Sequence, residues 1–223
     1  MIKYFIEYEK NFSLNDYKSK ICPTLLLGSL SEIRNSYIYG NFHLDNYSSI
    51  NRCEINIGSA VGVHSYLSDT KLDKYSIVGS RVSIGGFEHP TDWLSHHGFQ
   101  WGQGIEHWET HASQGKKTET KPSPEQTYLG PDTWVGNNAV VLSKVRIESG
   151  SIIGAGSVVT KDTHPYSINV GNPARLVGYR FEKEIIDQLL ILKWWDLDFD
   201  EISKLTFSKI NIALKQIMRL RGL

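Results

Sequence analysis

Aliphatic residues recur every six positions through much of the second half of the chain. Helical faces repeat at about 3.6 residues and half-buried strands repeat at two, so neither element alone produces this spacing. A period of six is typical of a β-solenoid, in which each short strand ends at a corner and the next begins on a new face. The alternative is a run of ordinary strands in a β-sandwich. The series comprises Leu129, Val135, Val141, Ile147, Ile153 and Val159.

A second series of positions supports the solenoid. Small or β-branched residues follow the aliphatic positions by four, as a tight second inward position requires. Glycines directly follow three of the aliphatic residues, at 130, 136 and 154, and we expect them at corners whose backbone angles a Cβ disfavours. Because the two series stay in phase, the pattern favours the solenoid over the sandwich. The second series comprises Thr133, Ala139, Val145, Ser151 and Ser157.

The same period begins weakly near Tyr37. It predicts inward positions at Ile57 and Val63, and then shifts by three residues near 69–71, which predicts a small bulge at one corner. After the shift, the period predicts inward aliphatic residues at Leu72, Val78 and Ile84, with Ser76 and Val82 in the second series.

The repeat stops at Gly85 and Gly86 and resumes at Leu129. The intervening residues 87–127 are rich in His, Trp, Gln, Gly and Ser, and we interpret them as an excursion loop from one continuous solenoid. Long loops of this kind often carry function.

Beyond the solenoid, amphipathic patterns predict one helix over about 182–194 and another over about 208–220. The predicted organisation is an N-terminal segment 1–36, a solenoid domain 37–180 and a C-terminal α-helical cap 181–223. Apolar faces are predicted for the first helix at Phe181, Ile185, Ile186, Leu189 and Leu192, and for the second at Ile210, Leu214 and Ile217.

Composition argues against several classes of protein. The 24 basic and 24 acidic residues balance, so there is no general electrostatic case for binding nucleic acid or an anionic membrane. No stretch approaches the roughly 20 apolar residues that span a bilayer, and the start MIKYFIEYEK is charged too early for a signal peptide. Two cysteines, Cys22 and Cys53, are too few for a disulfide framework. We therefore expect a cytoplasmic protein.

Four blocks of sequence resemble one family. The stretch HSYLSDTKLDKYSIVGSRVSIGGFEHPTDW is similar to the core motif of the hexapeptide-repeat xenobiotic acetyltransferases, which include chloramphenicol and streptogramin acetyltransferases. WVGNNAVVLSKVRIESGSIIGAGSVVTKD, GNPARLVGYRF and IIDQLLILKWWD resemble the coenzyme-binding coils, the exit segment and a helix with paired tryptophans. The resemblance implies a left-handed parallel β-helix, a homotrimer with active sites between subunits, and transfer of an acetyl group from acetyl-CoA.

The resemblance assigns the catalytic histidine to His89, within GGFEHPTDW. Its chemistry supports the assignment, because a neutral imidazole accepts a proton near pH 7 from a hydroxyl or amine that attacks a thioester. The alternative is a histidine that caps the loop by bonding to Thr91 or Asp92. We interpret the neighbouring Glu88 as a solvated loop acid. Asp92 has two open interpretations, one as an orienting group and one as a solvated acid.

The remaining site predictions concern the acceptor and the coenzyme. Tyr66, Asp92 and Trp93 are the predicted acceptor-binding residues, although Tyr66 equally fits an outward tyrosine and Trp93 an anchor of the loop. Small residues would let a pantetheine arm lie along the coil, and two cations would meet the phosphates. The alternatives are turn glycines, a packed alanine and solvated cations. The predicted coenzyme-binding residues are Gly136, Gly154, Ala155, Gly156, Lys161 and Arg175.

We expect no metal. The histidines His96, His97, His107 and His111 crowd the loop, but HWETH differs from the HExxH zinc motif because Glu109 stands in the middle position. The paired Trp194 and Trp195 are interpreted as packing or trimer contacts.

The predicted function is acetyl-CoA-dependent O-acetylation of a sugar in surface-polysaccharide biosynthesis, by a homotrimer that binds neither nucleic acid nor membranes. Close alternatives are an antibiotic O-acetyltransferase and an amino-sugar N-acetyltransferase. Alternatives of other classes are a zinc hydratase like carbonic anhydrase and a catalytically silent scaffold.

Overall fold

The computed structural model of the protein describes residues 4–6, 25–86, 88–89, 91–96 and 126–223. Short strands there wind repeatedly through three sheets, which we call sheets A, B and C. Sheet A contains β1 (Tyr4–Ile6), β4 (Ser36–Ile38), β7 (Glu54–Ile55), β10 (Thr70–Leu72), β13 (Thr127–Leu129) and β16 (Arg146–Ile147). Sheet B contains β2 (Leu25–Leu27), β5 (Phe42–Leu44), β8 (Ser59–Val61), β11 (Ile77–Val78), β14 (Trp134–Val135), β17 (Ile152–Ile153), β19 (Ser167–Gly171) and β20 (Ala174–Tyr179). Sheet C contains β3 (Glu32–Arg34), β6 (Ser49–Asn51), β9 (Tyr66–Ser68), β12 (Ser83–Gly85), β15 (Val140–Val141) and β18 (Val158–Val159).

The strands form a parallel β-solenoid. Each coil pairs in parallel with the coils on either side, and the antiparallel pairs among the described strands are β1 with β4 and β20 with β19. The predicted fold class is therefore confirmed, and the architecture is consistent with a left-handed β-helix. Parallel pairing extends back to Leu25, so the solenoid includes residues that the sequence assigned to the N-terminal segment.

Both inward series are confirmed by burial. The aliphatic residues from Leu129 to Val159 are at most 2% exposed, and the second series from Thr133 to Ser157 is at most 5% exposed. Burial of each aliphatic side chain contributes about 1.5–3 kcal/mol. The core is therefore a stack of in-register aliphatic layers along the solenoid.

The early coils are shorter than the later ones, and this corrects the predicted phase. Ile57 and Val63 are half-buried, whereas Ile55 and Val61 occupy the inward positions. The reason is the corner between sheets C and A, where successive inward positions are five residues apart in the early coils and six apart in the later one. The bulge predicted near 69–71 is wrong, because the corner from Leu67 to Leu72 is shortened by one residue. The shortened corners run from Ile33 to Ile38, from Ile50 to Ile55 and from Leu67 to Leu72. The longer corner runs from Val141 to Ile147.

The glycines that follow inward aliphatic residues have a different role from the predicted one. Gly130 and Gly136 do not have positive φ, and the left-handed positions of these corners belong to other residues, such as Asp132. A Cβ on Gly130 would lie 2.8 Å from the backbone nitrogen of Ser149, and one on Gly136 would lie 2.6 Å from that of Ala155. Glycine is needed there because successive coils approach too closely for a side chain.

The C-terminal segment is helical, as predicted. It contains α1 (Lys183–Leu192), a 3₁₀ turn (Trp194–Asp196), α2 (Phe199–Ile202) and α3 (Ile210–Leu220). The sequence did not predict the short α2, which begins with a capping box between Asp198 and Glu201. No helix in the described ranges combines the length and hydropathy needed to cross a membrane. The predicted faces are buried at Ile186, Leu189 and Leu192 in α1 and at Leu214 and Ile217 in α3.

The helices contact the edge where sheets A and B meet. Trp194 stacks on Tyr75 with ring centroids 5.2 Å apart, and Lys74 Nζ lies 2.7 Å from a carboxylate oxygen of Asp196. Just before α1, Arg180 donates to Asp132 at 2.8 Å. Trp194 therefore packs against the solenoid, in agreement with the packing interpretation.

Replacing Gly130 with alanine should lower the free energy of unfolding by about 1–3 kcal/mol, because the new methyl group has to displace the backbone of the next coil. Urea denaturation followed by circular dichroism measures the change. Gly178→Ala is the matched control, since a Cβ there meets no atom within 4 Å. Equal stability of the two variants would contradict the close-approach explanation.

Candidate active site

The excursion loop leaves the solenoid at the corner between sheets C and A. Gly85 and Gly86, at the end of β12, have left-handed φ angles of +70° and +110°, which glycine adopts readily. A Cβ on Gly85 would also collide with the carbonyl oxygen of Ser68 in the coil below. The chain re-enters at Thr127, whose backbone nitrogen donates to the Asp69 carbonyl at 2.9 Å. Both ends of the loop therefore meet the solenoid at one corner.

His89 lies at the start of this loop, and its ring is exposed. Nδ1 is 2.7 Å from the carbonyl oxygen of His96. Because a carbonyl oxygen only accepts, the neutral ring carries its proton on Nδ1, and the lone pair is on Nε2. The loop-capping alternative named Thr91 or Asp92 as partners, but the observed partner is the His96 backbone. The same bond leaves the imidazole in the tautomer whose Nε2 accepts a proton.

Glu88 is exposed but paired, which corrects its interpretation as a solvated acid. Its carboxylate accepts a short hydrogen bond from Ser143 Oγ and lies 3.2 Å from Lys144 Nζ. The hydrogen bond from Ser143, followed by that from Lys144, lowers the pKa of Glu88. Glu88 is therefore ionised at neutral pH and spans from the loop to the neighbouring coil.

The predicted acceptor residues lie on sheet C and in the loop. Tyr66 points outward from β9 with 42% exposure, and β9 pairs directly with β12, the strand that leads to His89. Asp92 is exposed and Trp93 is half-buried within the segment between His89 and His96. The outward-tyrosine position of Tyr66 is thus observed, and it faces the same side of the solenoid as the loop exit.

The predicted coenzyme residues separate into two groups on opposite edges of sheet C. Gly136, Gly154, Ala155 and Gly156 belong to the corner between sheets B and C, where Gly156 has a φ of +70° and open space around it. Lys161 follows β18 on the corner between sheets C and A. Strands of about three residues span roughly 10 Å, which is the approximate width of sheet C between these corners.

Arg175 joins the group at the corner between sheets B and C. Its neighbour across the β19–β20 hairpin is Val170, and the backbone nitrogen of Gly154 donates to the Asn169 carbonyl at 2.9 Å. The tip of the hairpin therefore lies over Gly154. The Arg175 side chain is exposed and donates to the Ala174 carbonyl at 2.9 Å.

Sequence reasoning missed an ion pair below the loop exit. Arg52 donates to both carboxylate oxygens of Asp69 at 2.7 Å, and Ser68 Oγ donates to one of them at 2.7 Å. Burial acts to raise the pKa of Asp69, but these hydrogen bonds outweigh it and the pKa is lowered. Arg52 and Asp69 occupy equivalent corner positions in successive short coils. A correct phase for the early coils would have identified the pair.

The histidines and acids in the described part of the chain do not assemble into a metal site. No group of three or more His, Cys, Asp or Glu side chains that could hold a metal ion occurs there. His97, His107 and His111 of the loop lie outside the described residues.

Comparison with protein families identifies the repeat. The bacterial transferase hexapeptide family, described as six repeats, matches residues 126–161. These residues contain the strong aliphatic series. The repeat of this solenoid is therefore similar to the transferase hexapeptide repeat.

Two curated relatives carry the comparison further. The chain is 31% identical over 137 residues to a chloramphenicol acetyltransferase of Escherichia coli, covering 57% of this chain and 62% of that protein. It is 42% identical over 84 residues to a probable macrolide acetyltransferase of Lysinibacillus sphaericus, covering 38% of this chain and 47% of that protein. The chain thus spans less than two thirds of either relative. Together with the repeat, these matches confirm the predicted resemblance to hexapeptide-repeat acetyltransferases.

Solved structures show the same fold at low sequence identity. The acetyltransferase domain of PglB from Neisseria gonorrhoeae FA1090, in complex with acetyl coenzyme A, has a TM-score of 0.50 and 14% identity, covering 73% of this chain and 62% of that chain. A point mutant of AntD, an N-acyltransferase from Bacillus cereus in complex with dTDP and coenzyme A, has a TM-score of 0.52 and 18% identity, covering 82% of this chain and 96% of that chain. At these identities the likeness concerns the fold.

Asp69→Asn should lower the free energy of unfolding at neutral pH by about 1 kcal/mol, because the charge-assisted hydrogen bonds from Arg52 weaken. Folding lowers the pKa of Asp69, so its stabilisation is present above the unfolded value of about 3.9 and is lost as the pH falls through the lower folded value. Denaturant titrations from neutral to strongly acidic pH measure both effects. Asp187→Asn, in an exposed helical pair, is the control. An unchanged acid dependence in Asp69→Asn would contradict the assignment.

Proposed function

We propose that the protein transfers an acetyl group from acetyl-CoA to a hydroxyl group of a sugar, with His89 as the general base. The observation that carries this proposal is the exposed His89 ring, whose Nδ1 bonds to the His96 carbonyl at 2.7 Å so that Nε2 accepts the proton. The names of the curated relatives support acetyl transfer. The same fold carries acetyl-CoA in the PglB domain and coenzyme A in AntD, which supports the choice of donor.

The proposed reaction uses His89 twice. Nε2 removes the proton from the acceptor hydroxyl while its oxygen forms a bond to the thioester carbonyl carbon. The tetrahedral intermediate then breaks its carbon–sulfur bond, and the coenzyme thiolate takes the proton back from the imidazolium. The products are the acetyl ester and free coenzyme A. The His96 carbonyl accepts from Nδ1 throughout, and so it also stabilises the imidazolium between the two steps.

The remaining site residues have proposed roles on either edge of sheet C. Tyr66, Asp92 and Trp93 would contact the acceptor beside His89. Gly154, Ala155 and Gly156 would accommodate the pantetheine arm at the corner between sheets B and C, with Gly136 one coil below. The exposed cations Lys161 and Arg175 would bind the coenzyme phosphates, because both carry strong donors for phosphate oxygens.

We also propose that the protein is a homotrimer with sites between subunits. Support comes from the outer face of sheet B, where Ile77 and Trp134 are in register on the neighbouring strands β11 and β14. Leu26 lies in the same row, beyond His43 and Ala60. Leu26, Ile77 and Trp134 are 62%, 43% and 53% exposed along this face. Exposed apolar ladders of this kind are typical of surfaces that a second subunit covers.

A second candidate function is the O-acetylation of an antibiotic. It is favoured by the two curated relatives, which are named as chloramphenicol and macrolide acetyltransferases. The chemistry of His89 is the same for either acceptor, so the two functions differ in the acceptor pocket alone.

His89→Ala should lower kcat/KM for thioester cleavage by about 10²–10⁴-fold, because the variant has no group to accept the acceptor proton. Release of free coenzyme thiol, followed with a thiol reagent, measures the rate. His164→Ala is the matched control, since His164 is exposed on a different corner of the last coil. Full turnover by His89→Ala would overturn the assignment of the base.

An acceptor panel should give the highest kcat/KM with a hydroxylated sugar. The panel includes neutral sugars, amino sugars, chloramphenicol and a macrolide, with thiol release as the common readout. A clear preference for either antibiotic would replace the sugar acceptor with the second candidate, and a preference for an amino group would indicate N-acetylation.

Metal analysis of the purified protein addresses the hydratase alternative, which one tightly bound zinc per chain would favour.

A further inference from the structure

We infer that Glu88 is a positioning residue for His89. Its carboxylate ties the first residues of the excursion loop to the neighbouring coil, and this contact determines where the adjacent imidazole lies. The inference rests on the proposed function, since it concerns the same proposed base.

The contacts of Glu88 span two successive coils. Glu88 follows β12, whereas its partners Ser143 and Lys144 lie between β15 and β16. Ser143 Oγ donates to one carboxylate oxygen of Glu88, and Lys144 Nζ lies 3.2 Å from the other. Since β12 and β15 pair directly, the partners lie one coil away from the loop exit.

Lys144 contacts both ends of the loop. Its side chain pairs with Glu88 near the exit, and its backbone nitrogen donates to Thr127 Oγ1 at 3.1 Å at the point of re-entry. The backbone nitrogen of Thr127 in turn donates to the Asp69 carbonyl. One corner residue therefore joins the two ends of the excursion.

The sequence before His89 makes such a tie necessary. Gly85 and Gly86 have wide conformational freedom, so the strand alone does not determine the direction in which the chain leaves. The contacts of Glu88 constrain the backbone next to His89, and the bond from Nδ1 to the His96 carbonyl constrains the ring. The restraint on the ring depends on the restraint on the backbone, because movement of the backbone at His89 carries Nδ1 away from the His96 carbonyl. Loss of the Glu88 contacts would therefore weaken this bond and let Nε2 move relative to the solenoid wall.

The exposure of Glu88 separates this role from a general effect on stability. An exposed ion pair contributes little to the free energy of unfolding, typically about 0–1 kcal/mol. A misplacement of a reacting group by about 1 Å, in contrast, can lower a rate by about 10²-fold. The consequence of the contact should therefore appear in turnover and not in thermal stability.

The first test measures steady-state kinetics of Glu88→Ala with the preferred acceptor. We expect kcat to fall by about 10- to 100-fold, with KM for acetyl-CoA and the melting temperature little changed. Glu54→Ala is the matched control, because its pair with Lys71 lies on sheet A. The double variant Glu88→Lys with Lys144→Glu restores the pair in reverse and should recover most of kcat. Wild-type kcat in Glu88→Ala would overturn the inference.

The second test measures the tautomer of the His89 imidazole directly and does not require activity. Nitrogen-15 NMR of His89, assigned by comparison with His89→Ala, should show the Nδ1–H tautomer in the wild-type protein and a mixture of tautomers in Glu88→Ala. If the wild-type protein cleaves no thioester, the proposed function fails while this spectrum still tests the positioning. The same tautomer in both proteins would overturn the positioning role even in an active enzyme.

Discussion

The close, in-register stacking of coils is the constraint on which the rest of this structure depends. Each inward aliphatic residue lies over its equivalent in the previous coil, and the approach is tight enough that Gly130 and Gly136 have no room for a side chain. Because the register is continuous, corner residues that are distant in sequence become neighbours. Asp69 and Lys144 both bond to Thr127 for this reason, since they lie at the equivalent corners one coil before and one coil after the corner from which the loop departs.

This stacking gives the proposed site a rigid wall with distinct edges. Sheet C has the loop exit with His89 along one edge and the Gly154 to Gly156 turn along the other, where the tip of the β19–β20 hairpin lies over Gly154. The proposed base lies beside one corner of sheet C, and the proposed groove for acetyl-CoA lies at the other. The acetyl donor would therefore reach the base across the outer face of this sheet. In the proposed reaction the loop would supply the base and the contacts to the acceptor, and the solenoid would supply the fixed position to which Glu88 ties the loop.

The sequence predicted the second half of the solenoid well because six-residue sides leave a strict pattern of buried positions. The early coils were predicted out of phase, with Ile57 and Val63 in place of the observed Ile55 and Val61. The shortened corner between sheets C and A interrupts the six-residue period in each early coil, so the pattern there does not show its true phase. Amphipathic periodicity was sufficient to predict α1 and α3. The position at which these helices pack depends on the contact between Tyr75 and Trp194. These residues are far apart in sequence, and no periodicity relates them.

The same distinction applies to the candidate site. Some of its features follow from a local sequence pattern, and others depend on long-range contacts. His89 was predicted from a short motif, and its position at the loop exit follows from the end of the repeat. Its bond to His96 and the pairing of Glu88 with Ser143 could not be predicted, because each depends on how the loop folds back or on which coil lies next to it. The sequence predicted a solvated Glu88 because nothing near it in the chain indicated a partner. Its partners Ser143 and Lys144 come from a separate coil.

The most direct test of the account is a crystal structure of the protein with bound coenzyme A. In that structure we expect the pantetheine arm to follow the corner at Gly154, Ala155 and Gly156, and its thiol end to lie next to His89 Nε2 from the same or an adjoining subunit. A coenzyme bound with its thiol away from His89, or bound at a different face of the solenoid, would contradict the proposed mechanism.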